Sequence, residues 1–247
     1  DFLKNYKERF DWIYIDPSRR DHKKNKKTLI EDCSPNIMLI EDLIYEKTNK
    51  VLIKMSPMLD ISKAIQLIKN VNTVYIVAVK NEVKELLFHL EKDNNSEVNI
   101  TTINYHLDKT EHFSFKIHQE KTAKAKFSTP KQFLYEPNAA VMKSGAFRLV
   151  SKYFKLYKLD INTHLYTSER KIKNFPGKIY EIISTHNYHK KSIRQIIRGR
   201  KANLKTRNFP EKNEVLKKLF KISDGGENYL FFTSNLKNKI VIDCKLA

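Results

Sequence analysis

Polar groups that could carry chemistry follow three predicted strands of this 247-residue chain. Asp16-Pro17 follows an apolar run at 12–15, Ser56-Pro57-Met58 follows a run at 51–55, and Asn81-Glu82 follows a run at 73–79. Ligands of open parallel sheets bind outside the carboxyl ends of the strands. We therefore expect a binding site at this edge, formed by Asp16, Pro17, Ser56, Pro57, Met58, Asn81 and Glu82.

The Asp16-Pro17 and Ser56-Pro57 steps restrict the backbone at two of these strand ends. A proline restricts the residue before it to extended backbone, which fixes the directions of the Asp16 carboxylate and the Ser56 carbonyl. Each feature also has a purely structural reading. Asp16 could cap a turn, Ser56-Pro57 could start a helix, and Glu82 could lie in the first turn of a helix, where the helix dipole favours it.

A basic segment follows Asp16-Pro17 directly. Arg19 and Arg20 could clamp a phosphate in bidentate fashion, which makes them further substrate-binding candidates, and lysines continue the segment at positions 23, 24, 26 and 27. The alternative is a loop of solvated charges.

Other chemistries find little support in the residue pattern. The eight histidines form no HxxxH or HExxH pair, and Cys33 and Cys244 are too far apart in sequence to form a CxxC pattern, so we expect no metal site. GxSxG and GxxxxGK[ST] motifs are also absent. Two isolated cysteines fit a reducing cytoplasm, and with no long apolar run we expect a cytoplasmic protein without a membrane partner.

The first 120 residues read as alternating buried strands and amphipathic helices, which is typical of βαβ units and a mostly parallel sheet. Helices are predicted over 37–45, 61–70 and 81–92, and two antiparallel strands over 98–106 and 112–118. Glycine is absent before Gly145. The glycine-rich turn of dinucleotide-type folds is therefore expected upstream of residue 1 or lost in evolution.

Charge divides the chain into a neutral half and a basic half. The net charge of +19 falls entirely on residues 121–247, which indicates a polyanionic partner. A general lysine bias of the genome is the alternative, although it should act on both halves. The cations that could bind such a polyanion in the last part of the chain are Arg194, Arg198, Arg200, Lys201, Lys205 and Arg207.

Beyond residue 120 the predicted elements are shorter. They comprise a helix over 138–154, strands at 164–168, 178–185 and 201–209, helices over 192–200 and 211–220, and a hairpin of 228–235 with 239–245. The charge division and the change of element length together predict a neutral α/β domain over 1–120, followed by smaller segments over 121–170 and 171–247, the last of them basic. The predicted fold class is α/β, the carboxy-terminal half of a Rossmann-like sheet followed by small α+β domains.

Several motifs together resemble a known group. DPSRR (16–20) at a strand end resembles the Asp/Asn-Pro-Pro-aromatic motif of class I S-adenosylmethionine-dependent methyltransferases. In order and spacing, KMSPMLDI (54–61), VKNEVKELL (79–87), YEPNAAVMKSGAF (135–147) and ANLKTRNFP (202–210) are similar to the bacterial THUMP-like methyltransferases of the Bacteroidetes.

The resemblance implies S-adenosyl-L-methionine as cofactor, with its main binding motif upstream of residue 1, and RNA (tRNA or rRNA) as partner. It implies a partial Rossmann-like methyltransferase domain (1–120), a small ferredoxin-like segment (121–170) and a basic THUMP-like domain (171–247) that binds RNA through its cations. It also places catalytic Asp16 and Pro17 beside the donor and substrate, and Ser56, Pro57 and Met58 in the pocket wall. Methylation of a base nitrogen is favoured, because a ring carbon would require a cysteine nucleophile, and Cys33 is badly placed. The alternative is a non-catalytic RNA-binding module on a degenerate methyltransferase scaffold. The sequence does not determine the oligomeric state.

Overall fold

The computed structural model describes residues 2–18, 34–236 and 238–247. The chain divides into two compact units. Residues Asp1–Lys121 and Ala139–Gly145 form the first unit, and residues Thr122–Asn138 and Ala146–Ala247 form the second. A helix from beyond residue 121 therefore belongs to the first unit.

The first unit contains a six-stranded mixed sheet and five helices among the described residues. Its elements are α1 (Phe2–Asn5), β1 (Ile13–Ile15), α2 (Ile37–Lys47), β2 (Lys50–Met55), α3 (Ile61–Leu67), β3 (Val71–Val79), β4 (Glu82–Glu91), β5 (Asn99–Tyr105), β6 (Thr110–Lys116), α4 (Ile117–Thr122) and α5 (Ala139–Ser144). The strand order is β1-β2-β4-β3-β5-β6. β1 pairs with β2 and β3 with β5 in parallel, whereas β4 runs antiparallel to both of its neighbours.

The predicted helix over 81–92 is wrong, because these residues form strand β4. The run EVKELLFHLE fits an amphipathic helix and a half-buried strand almost equally well, an ambiguity expected for short apolar runs. Lys80 and Asn81 decide the outcome, since both adopt left-handed backbone (φ 50° and 64°). Two such residues make the tight turn that suits a two-residue hairpin, so the chain folds back and β4 pairs with β3.

The two faces of this sheet differ in burial. Along β4, Leu86, Phe88 and Leu90 are buried on one face, while the alternating Leu87 and His89 remain half-buried on the other. α5 packs against β3, β4 and β5 and buries Ala140 and Val141. The side chains of Asp16 and Lys54 belong to the less buried face, because their neighbours Ile15 and Ile53 point the other way.

The second unit is built on an eight-stranded sheet. Its elements are β7 (Lys126–Phe127), β8 (Phe133–Pro137), α6 (Phe147–Tyr153), β9 (Tyr157–Lys158), β10 (Tyr166–Ser168), β11 (Gly177–Asn187), α7 (Lys190–Ile197), β12 (Asn203–Arg207), α8 (Asn213–Phe220), β13 (Asn228–Asn235) and β14 (Asn238–Leu246). The strand order is β12-β13-β14-β11-β8-β10-β9-β7.

Residues of β14 alternate between two cores. Val241 joins the cluster that contains Ile193 of α7 and Phe220 of α8. Ile240 and Ile242 join a second cluster with Leu134 and Tyr180. Both faces of β14 are therefore covered, and the predicted hairpin of 228–235 with 239–245 is present as β13 and β14.

The single helix predicted over 138–154 is wrong in one respect. The structure has two helices, α5 and α6, separated at Gly145, whose φ of 73° lies in the left-handed region that ends helices. The break assigns α5 to the first unit and α6 to the second.

Candidate active site and nucleic-acid interface

Asp16 lies directly after β1, at the carboxyl end of the strand. Its carboxylate is 2.5 Å from the Nζ of Lys54, near the end of the neighbouring strand β2. About half of the Asp16 side chain is exposed, so the carboxylate has no buried structural role. The hydrogen bond that the Lys54 ammonium donates to Asp16 raises the pKa of Lys54. Lys54 was not among the predicted site residues. The signal that could have identified it is its position near the end of the predicted strand at 51–55, two residues before Ser56.

Pro17, the next residue, is buried. The backbones of Ser18 and Ser34 then pair through two hydrogen bonds of 2.8 and 3.0 Å. Arg19 and Arg20, predicted to hold a phosphate, lie outside the described residues, as does Cys33.

Ser56 organises the loop after β2. Its buried hydroxyl accepts a hydrogen bond from the Met58 N–H at 3.2 Å, and its carbonyl accepts one from the Leu59 N–H at 3.1 Å. Asp60 ends the loop as the N-cap of α3, since its carboxylate accepts the Lys63 N–H at 3.0 Å. The loop leaves Pro57 half-buried and the Met58 side chain 76% exposed, so Met58 is available to a ligand.

Asn81 and Glu82 lie at the same edge but farther from Asp16. β4 is inserted between β2 and β3, so three strand spacings separate β1 from β3, about 14 Å. Asn81 has structural partners: its N–H donates to Asn104 Oδ1 at 3.0 Å, and its Oδ1 accepts the Ala139 N–H at 2.7 Å. Glu82 is not in a helix; it opens β4 and pairs with Lys84 at 2.6 Å.

Three of the six predicted RNA-binding cations are paired with buried carboxylates. Arg200 lies 2.6 Å from Asp243, which is largely buried. Lys205 and Arg207 both contact Glu136, another buried carboxylate. Much of their charge is thus compensated within the second unit.

The Lys205 ammonium lies inside a polar and aromatic enclosure. It donates to the Tyr180 hydroxyl at 3.0 Å and lies 5.4–5.7 Å from the ring centroids of Tyr180, Tyr229 and Phe231, within cation–π range. Burial raises the pKa of Glu136, but Lys205, Arg207 and Tyr180 together hold that pKa below its usual range. The carboxylate therefore stays charged at neutral pH.

Arg194, Arg198 and Lys201 have exposed side chains. Arg194 and Arg198 are four residues apart at and beyond the end of α7, and Lys190 precedes them by the same interval, so the three share one exposed face. The adjacent face of α7 buries Ile193 and Ile197. We call the exposed cations Lys190, Arg194 and Arg198 the α7 stripe. Arg194 and Arg198 were predicted from the sequence, and Lys190 was not.

Metal-binding clusters and membrane-spanning helices are both absent from residues 2–18, 34–236 and 238–247. No group of three His, Cys, Asp or Glu side chains is placed to hold a metal ion. No helix there is long and apolar enough to span a membrane.

Comparisons with known proteins agree with this architecture. Residues 133–176 match a family described as a ferredoxin-like domain, and residues 177–245 match one described as THUMP domain-like. The structure is similar to the "Crystal structure of putative methyltransferase from Porphyromonas gingivalis W83", with a TM-score of 0.87 and 30% sequence identity over 96% of this chain. This chain spans 60% of that chain. No curated protein matches the chain significantly.

The predicted fold class is confirmed by these findings: an α/β unit is followed by ferredoxin-like and THUMP-like segments. The boundaries proposed from the sequence at 120 and 170 stay predictions. The ferredoxin-like match begins at residue 133, and within it α5 groups with the first unit.

Proposed function

We propose that this chain is part of an S-adenosylmethionine-dependent methyltransferase that acts on a base nitrogen of tRNA or rRNA. The observation that carries the proposal is the exposed Asp16 carboxylate at the carboxyl end of β1, in a fold similar to that of a putative methyltransferase. The THUMP domain-like match and the basic second half support RNA as the substrate.

The residues at this edge suit one side of a donor site. The donor would supply a methyl group on a sulfonium that is already activated, so the protein mainly has to align the reacting atoms. Asp16 would accept a hydrogen bond from an exocyclic N–H of the base and orient its lone pair. Met58 would offer an exposed apolar contact, and Ser56 would hold Met58 in place through its hydroxyl.

Lys54 would fix the position of the Asp16 carboxylate before the substrate binds. Its ammonium holds the Asp16 carboxylate at the strand ends until an amine takes over part of that contact. RNA phosphates would be held by Arg194, Arg198 and Lys201, whose side chains are exposed. Such contacts supply affinity and salt dependence but no base selection.

A non-catalytic RNA-binding module is the second candidate, because the THUMP domain-like match and the basic second half support RNA binding without requiring a methyl donor. Equilibrium dialysis with radiolabelled S-adenosylmethionine and transfer to bulk tRNA and rRNA separate the two, using the full-length natural protein that contains these residues. Saturable donor binding with label entering RNA supports the enzyme. RNA binding without donor binding or transfer supports the module and overturns the proposal.

A further inference from the structure

α5 connects two loops of the first unit. Both loops lie at the edge of the six-stranded sheet where Asp16 follows β1. At its start, the Ala139 N–H donates to the side chain of Asn81, in the turn between β3 and β4, at 2.7 Å. Near its end, the Lys143 Nζ donates to the Leu59 carbonyl, in the loop after β2, at 2.8 Å. The helix therefore joins the end of β3 to the end of β2 across the intervening strand β4.

The dimensions of α5 match that span. β2 and β3 are two strand spacings apart, about 10 Å. Four residues of helix from Ala139 to Lys143 advance about 6 Å, and the lysine side chain supplies the remainder. A shorter side chain at position 143 would not reach the loop.

The anchored end of the helix is firmly held. Asn81 is fixed by its own N–H bond to Asn104, which is fully buried. Ala140 and Val141 are buried against the sheet. Because one end is fixed, the Lys143 ammonium reaches the loop from a defined position.

Leu59 is the residue through which Lys143 acts on the candidate site. Its carbonyl accepts the lysine, while its N–H closes a turn onto the Ser56 carbonyl. The same turn is closed by the bond from the Met58 N–H to the Ser56 hydroxyl. Lys143 is half-buried, and burial lowers its pKa while Asp60 opposes that shift; the charged form is supported by Asp60 at the end of the same loop.

We propose that Lys143 is a positioning residue that holds the loop of residues 56–60 in the conformation used to bind the methyl donor. This inference rests on the proposed function for its ligand, but the ordering of the loop is testable without any donor. The motif that contains Lys143, NAAVMKSG at 138–145, would then serve the first unit although it lies within the ferredoxin-like match.

The test compares Lys143→Met, Lys143→Arg and the control Lys63→Met, which changes an exposed lysine on α3. Amide hydrogen exchange of Met58 and Leu59 should accelerate on the order of tenfold in Lys143→Met, because a bond to a charged donor is lost. Arginine keeps a cationic donor and should restore most of the protection. Lys63→Met should exchange like the wild type.

Donor affinity supplies the second measurement, made by calorimetry with S-adenosylmethionine on the full-length natural protein. The dissociation constant should rise on the order of tenfold in Lys143→Met and recover in Lys143→Arg, with the midpoint of global unfolding close to that of Lys63→Met. Unchanged exchange at Met58 and Leu59 would overturn the inference, and so would faster exchange with unchanged donor affinity. If the wild type binds no donor, the proposed function fails, and the exchange data alone decide whether Lys143 orders the loop.

Discussion

The Glu136 carboxylate of β8 receives the Arg207 guanidinium of β12 at 2.6 Å, across 71 positions of sequence. Glu136 also accepts the ammonium of Lys205 and the hydroxyl of Tyr180, the latter at 2.9 Å. One buried acid of the ferredoxin-like segment therefore forms ion pairs with two residues of the THUMP-like segment. These two residues, Lys205 and Arg207, were both predicted from the sequence to bind RNA.

Removing the charge of Glu136 should destabilise the second unit. In Glu136→Gln the Lys205 ammonium stays largely buried without its counter-charge. Breaking a buried pair costs several kcal/mol, and partial exposure of Lys205 and Arg207 reduces this, so we expect a loss of about 2 kcal/mol. Urea unfolding at pH 7 measures it, and Glu181→Gln, an exposed acid of β11, is the control.

The same pair predicts a pH dependence. The pKa of Glu136 is lowered in the folded protein, so its stabilising effect is present above the unfolded value of about 4.3 and is lost as the pH falls through the folded value. The difference in unfolding free energy between wild type and Glu136→Gln should shrink below about pH 4. A constant difference down to pH 3 would contradict this assignment.

His164 should act in a separate pH window. Burial first, and the nearby Lys158 ammonium second, lower the pKa of His164 to about 4. Between the unfolded value of about 6.5 and the folded value, only the unfolded state holds the proton, so stability falls as the pH falls through this range. His164→Gln should remove that part of the slope in a urea unfolding series; His189→Gln, a change of an exposed histidine, is the control. Parallel profiles for wild type and His164→Gln would refute the prediction.

Asp16 is expected to act in methyl transfer and not in RNA affinity. Asp16→Asn keeps the size but weakens the acceptor, and we expect transfer to RNA to fall about 100-fold or more, the range typical of a general base or orienting group. Filter binding of bulk tRNA should stay within about twofold, since a carboxylate does not bind phosphate. Asp11→Asn, an exposed acid before β1, is the matched control. Equal turnover in Asp16→Asn and Asp11→Asn would remove Asp16 from the site.

The α7 stripe is expected to carry RNA affinity. In Arg194→Ala/Arg198→Ala, two phosphate contacts are lost, so the slope of log affinity against log salt should become shallower by about 1.4–1.8. Fluorescence titrations of labelled tRNA over a salt series measure the slope. Lys63→Ala, in the neutral half, should leave it unchanged. An unaltered slope in the double variant would place the RNA elsewhere.

Local patterns predicted the elements that depend on neighbouring residues. The continuous apolar runs of β2 and β3, the antiparallel pair β5 and β6, and the β13–β14 hairpin were all readable from periodicity. β4 was not, because its side chains satisfy both helical and strand periods and pairing with β3 decided between them. Because β4 is inserted between β2 and β3, Asn81 lies farther from Asp16 than the sequence suggested. The residues at the strand ends do not reveal the order of the strands, so this separation could not be predicted.

The ion pairs were invisible for a different reason. Arg200, Lys205 and Arg207 look like free cations beside Arg194 and Arg198 in the sequence. Their partners, Asp243 and Glu136, lie 43 and 69–71 positions away. Sequence reasoning counted charge correctly, but only the folded sheet determines which charges face one another.

The placement of α5 has an evolutionary consequence. Recombination that replaced the basic half of the gene as a single block would also replace a helix in the core of the other half, along with Lys143. A foreign helix would have to reproduce the contacts of Ala140 and Val141 and the reach to Leu59. The two halves should therefore be inherited together, and their sequences should change in concert along this helix.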